Sequence, residues 1–103
     1  MSESDKDKKM FFTVDYDLMT PGRNYTALTG ALVAIGAKKM MYSKWVLQSS
    51  SSAAAIRDHL RQYMDSNDRL FVAELSEQWA GYNLLLDLNA TVLGAAALAG
   101  YRR

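Results

Sequence analysis

Cysteine is absent from the 103 residues, which removes disulfides, thiolate-bound zinc and thiol nucleophiles from consideration. Histidine occurs once, at His59, so any histidine-dependent acid–base scheme rests on that residue alone. Proline also occurs once, and there is neither a phosphate-cradling glycine loop nor a nucleophile elbow. The NTPase and hydrolase classes therefore lack their usual signatures. Neither sign of charge dominates: 12 basic and 11 acidic residues leave a formal net charge of +1. Binding of a polyanion would have to come from a local patch. The longest apolar stretch, towards the C-terminus, is interrupted by Asp87 and Asn89 and falls short of the roughly 20 residues of a membrane span. No membrane partner is expected, and the expected location is cytoplasmic.

What is present is an ordinary globular composition, with 50% apolar and 22% charged residues, enough for one domain with one core. The hydrophilic stretch 1–9, MSESDKDKK, is expected to be a solvated, disordered tail without a signal-peptide hydrophobic region. Residues 10–83 form the expected domain. Residues 84–103, rich in Leu and Ala, form an apolar C-terminal extension that is expected to be helical.

From Phe11 to Leu18 the side chains alternate, with Phe12, Val14, Tyr16 and Leu18 on one face and Thr13, Asp15 and Asp17 on the other. That is the period of a strand. It places two carboxylates on one face near the strand's end, before a Pro21-Gly22 turn signal. A helix capped near Asn24 follows, with Tyr25, Leu28, Leu32 and Ile35 as its buried stripe, Ala27, Gly30, Ala31 and Ala34 allowing close packing, and Gly36 as its stop. Lys38 to Ser49 is extended, as one strand or as a hairpin broken around Ser43-Lys44. Ser49 to Ser52 leads into a second helix, Ala53 to Met64, and the Ser66-Asn67-Asp68 turn leads into a strand over Arg69–Leu75. That last strand is apolar on both faces and has to be covered on both. Glu77–Asn83 has the residues of a further short edge strand. The economical fold is α+β: a ferredoxin-like βαββαβ sandwich with an additional C-terminal strand or helix. Its helix-free sheet face is expected to be covered by a second copy, making a homodimer.

Taken together, these residues resemble the CRISPR-associated protein two family, the small subunit of spacer-integration complexes, and its stand-alone relatives. The resemblance is carried by the first strand ending in Tyr16-Asp17 and by the helix ending in Gly36-Ala37. Further matches are the extended segment with Ser43, Trp45 and Val46, and the Asn67-Asp68-Arg69-Leu70 start of the last core strand. It covers about Met10 to Tyr82. Where the family commonly has a pair of arginines after the aspartate, this chain has Arg23 alone, which points to a stand-alone relative rather than the integration subunit itself. The resemblance implies a ferredoxin-like dimer joined through its open sheet faces. It also implies a Mg²⁺ or Mn²⁺ ion at Asp17 for phosphodiester cleavage.

Two uses of the acidic pair follow. In one, Asp17 holds the metal with hard oxygen ligands, Asp15 assists, and Arg23 and Lys44 hold phosphate. Lys38, Lys39 and Lys44, with Tyr42 and Trp45 between them, then form a basic, aromatic edge for RNA, DNA or a nucleotide. In the other, Asp15 and Asp17 bind the Thr20–Asn24 turn or cap the helix. The chain is then a non-enzymatic dimeric module that meets a protein partner through its sheet edges and its C-terminal extension.

Overall fold

The computed structural model describes residues 9–20, 25–76 and 78–86. Its elements are β1 (Met10–Asp17), α1 (Thr26–Ala34), β2 (Lys38–Met41), β3 (Lys44–Ser49), α2 (Ala53–Leu60) continued by a 3-10 turn (Arg61–Tyr63), and β4 (Arg69–Leu75). One four-stranded sheet, in the order β2-β3-β1-β4, carries both helices, and all neighbouring strands are antiparallel. This α+β arrangement has the expected element order and is compatible with a small ferredoxin-like sandwich. The segment Lys38 to Ser49 resolves as a hairpin turning at Tyr42-Ser43, with an irregularity in β2 between Lys39 and Met41.

The helix-bearing face holds the main core. Phe12 and Val14 of β1, Trp45 and Leu47 of β3, Leu28 and Leu32 of α1, and Ile56 and Leu60 of α2 pack together there. Burial of each such large side chain contributes about 1.5–3 kcal/mol. In α1 the stripe is as expected for Leu28 and Leu32, but of the small residues only Ala31 is buried; Ala27, Gly30 and Ala34 face solvent. Gly36, at φ +88°, ends the helix in the left-handed region that favours glycine. Ser52 caps α2, its hydroxyl accepting from the Ala55 N–H at 3.1 Å. The cap expected at Asn24 lies outside the described residues.

A second, smaller cluster forms on the opposite face. Phe11, Met40 and Val46 are covered by Leu75, Trp79, Leu84 and Leu86. The chain after β4 does not add the edge strand expected over 77–83; Gln78 makes an isolated bridge, and no strand follows among the described residues through Leu86. Instead residues 78–86 run as an irregular strap from β4 across this face to β2, where the Leu85 N–H donates to the Met40 carbonyl at 3.0 Å. Half of the helix-free face is therefore closed by the chain itself, where a second copy was expected to cover all of it. Leu84 and Leu86 belong to this packing, so the chain continues on the sheet past the boundary expected at Asn83. The helix expected further on falls on 87–103, and the tail on 1–8, outside the described residues.

Candidate functional site

The described part of the strap, through Leu86, packs near the start of β1 and does not reach its carboxyl end. There the two-residue period puts Asp15 and Asp17 on the helix-free face, while antiparallel register sets Lys44 of β3 beside Asp15 and Arg69 of β4 beside Asp17. The Lys44 ammonium donates to both Asp15 carboxylate oxygens at 2.9 Å. The Arg69 guanidinium lies 3.7 Å from Asp17. Cross-strand pairs of opposite charge are the sheet's own way of satisfying such positions. Together with Tyr42 and Phe71 these four residues line an open concavity of about 550 Å³. Its apolar wall stands in solvent: Phe71 is 64% exposed, Met41 46% and Tyr42 87%.

Of the residues singled out from the sequence, Asp15, Asp17 and Lys44 are brought together here. Lys38 and Lys39 are exposed on β2, the far edge strand, and Lys39 Nζ lies 5.3 Å from the centroid of the Tyr42 ring. Trp45 requires a correction. Its register with Val14 puts it on the helix side, buried in the main core, where its indole N–H donates to the Tyr16 hydroxyl at 2.9 Å. A side chain so enclosed offers no face for stacking on a base. Arg23 lies outside the described residues. His59 is half-buried on α2, edge-on to Tyr63 with ring centroids 5.7 Å apart, and packs as a structural residue.

The donor set does not fit a divalent metal within one chain. Both Asp15 oxygens already face an ammonium, and Asp17 stands beside a guanidinium. Among the described residues there is no group of three or more His, Cys, Asp or Glu side chains placed to hold an ion. At the described flanks of the turn expected to engage Asp15 and Asp17, namely Met19, Thr20 and Tyr25, the contacts come from other carboxylates. Asp68 accepts from the Met19 N–H at 2.8 Å, the Tyr25 hydroxyl at 3.0 Å and the Asp65 N–H at 2.7 Å. Asp65 accepts from the Thr20 hydroxyl at 2.9 Å. The Ser66-Asn67-Asp68 turn signal was the visible trace of this knot; its long-range partners were not. Elsewhere on the helix side, a hydrogen bond from Arg57 holds the Asp58 carboxyl below its ordinary value.

No family model and no solved structure matches the chain. The reading of the site accordingly rests on its own geometry: a solvent-facing aromatic and aliphatic wall, two acids and two bases, and no net charge. Phe71 was readable in the sequence only as an apolar residue of a strand apolar on both faces; its register with Asp15 puts it on the helix-free face. Its exposure depends on packing across the face, which period-2 patterning does not carry.

Proposed function

We propose that the chain is a small self-associating interaction module of ferredoxin-like type, a homodimer that uses the part of the sheet its own strap leaves bare. The observation that carries this is the open concavity itself. Three large side chains, Phe71, Tyr42 and Met41, stand exposed beside the Asp15–Lys44 and Asp17–Arg69 pairs. A patch of this kind marks a protein-binding surface, whereas its balanced charge gives a polyanion no net attraction. The resemblance to stand-alone relatives of the CRISPR-associated protein two family supports the fold and the pairing. Metal-dependent phosphodiester cleavage has less support, because each carboxylate is already beside a cation. Light scattering tests the reading: mass should climb from the 11.5 kDa of one chain towards twice that value over the micromolar to millimolar range. A constant single-chain mass would sink it.

A second reading, binding of single-stranded RNA or DNA, is favoured by one observation. At the β2–β3 turn the exposed Tyr42 ring has Lys39 over it and Lys38 nearby on the same strand, which pairs a stacking surface with phosphate-binding cations. Anisotropy of a labelled oligonucleotide, with Tyr42→Ala as the control, separates this from self-association. Cleavage in Mg²⁺ or Mn²⁺ that EDTA and Asp17→Ala both abolish would reinstate the nuclease reading.

A further inference from the structure

We propose that two copies join edge to edge through β4, making one continuous eight-stranded sheet, with the second copy's Glu74 held between Arg57 and Arg61. This rests on the self-association reading and narrows its surface to the β4 border of the open half, where Phe71 reaches the seam while Tyr42 and Met41, at the β2–β3 turn, stay outside it. Among the described residues β4 is an edge strand, paired only with β1, over seven residues in unbroken register. It has no proline and carries charge only at Arg69 and Glu74. Edges of soluble proteins are ordinarily blunted by prolines, bulges or inward charges, and an edge without them is a template for another strand.

The occupant follows from symmetry and sequence. A two-fold axis relating antiparallel neighbours stands perpendicular to the sheet, so both helix layers lie on one side and one residue meets its own copy on the axis. Centring on Val72 overlaps all seven residues of Arg69–Leu75. On the open face the exposed Phe71 then lies opposite the second copy's Ala73, a large side chain against a small one. Centring on Phe71 would instead set Glu74 against the second copy's Asp68, a like-charge contact. Centring on Ala73 drops Arg69 and Leu70 out of the ladder.

On the helix side the Val72 register places the second copy's Glu74 opposite Leu70. Leu70 lines an open concavity of about 450 Å³ whose walls carry two cations, Arg57 and Arg61, and two acids, Asp65 and Asp68, with Arg57 already 2.9 Å from Asp58. Glu74 thus faces Leu70 and is not directly opposite an acid. Glu74 and Arg61 have no ion-pair partner among the described residues, and the pairing supplies one to each. The two open concavities, each with Phe71 in its wall, become adjacent across the seam.

A chain without cysteine allows a direct test. Single substitutions Val72→Cys and Tyr42→Cys are made in the full chain, oxidised mildly and run without reductant. Directly opposed residues of an antiparallel pair lie about 4.5–5.5 Å apart at Cα, within disulfide reach, so Val72→Cys should cross-link to a dimer and Tyr42→Cys should not. In parallel, Glu74→Arg should weaken dimerisation about tenfold, and adding Arg61→Glu should restore most of it. A dimer that cross-links through Tyr42→Cys but not Val72→Cys keeps self-association and overturns β4 pairing. A dimer that is indifferent to Glu74→Arg and to the paired reversal overturns the Arg57/Arg61 contact. A monomer at every concentration overturns both this inference and the reading beneath it.

Discussion

The helix-free face of the sheet has two halves that the same strands build differently. Near the start of β1, Phe11, Met40 and Val46 lie under the chain's own Trp79, Leu84 and Leu86. Near its end, Asp15, Asp17, Lys44 and Arg69 surround an aromatic wall with nothing described above it. The covered half is largely apolar, with Thr13 its one buried polar residue among those described, and its cover is held by packing and by a backbone hydrogen bond from Leu85 to Met40. The open half is chemically mixed, with each charge given a cross-strand partner so that the surface tolerates water and still offers Phe71 to a second protein. The difference teaches that one sheet face can be part core and part open surface, and it is the open part that we propose as the interface.

Adjacent methionines give the sharpest way to break that comparison. Met40 is 5% exposed and Met41 46%. Met40→Ala should cost about 2–3 kcal/mol in urea unfolding, while Met41→Ala should stay within about 0.5 kcal/mol. Equal losses would mean the open half is core after all. A second contrast sets the acids against each other. Asp68→Ala removes its acceptor contacts to Met19, Tyr25 and Asp65 and should destabilise by about 2 kcal/mol, whereas the exposed Asp17, 3.7 Å from Arg69, should unfold unchanged within about 0.5 kcal/mol when replaced by Ala. The smallest effect concerns the strap. The buried Trp79 indole N–H has no hydrogen-bond partner among the described residues, so Trp79→Phe removes an unsatisfied donor while keeping a ring, and thermal stability should change by less than about 1 kcal/mol. A loss several times larger would reveal a partner for that nitrogen.

Most of the framework was legible because its signals are local. Alternation in Phe11–Leu18, the Leu28 and Leu32 stripe, Gly36 and Ser52 each act within one or two turns of chain, and each has its expected place. What escaped depends on partners far away. Trp45 looked like a stacking residue because lysines flank it, yet pairing with Val14 turns it inward. Asp15 and Asp17 looked like turn ligands because Pro21 and Gly22 follow; the contacts to Met19 and Thr20 come from Asp65 and Asp68, more than forty residues later. The stretch before Asn83 read as a strand because aromatic residues favour one. Covering Phe11 and Val46 decided otherwise, since Trp79, Leu84 and Leu86 are worth more against that apolar surface than along an edge. Of the acidic site itself, the shared face was readable and the cations beside it were not.

Amide hydrogen exchange at low and high protein concentration addresses the division of the face most directly. The inward-facing amides of β4 are already bonded to β1, so the outward-facing ones of Arg69–Leu75 should exchange quickly in dilute protein and gain protection as concentration rises. Phe11, Met40 and Val46, closed by their own chain, should keep the same protection throughout. Concentration-dependent protection appearing at Met40 and Val46 while β4 stays unchanged would contradict the account, because it would place the second copy on the half assigned to the strap.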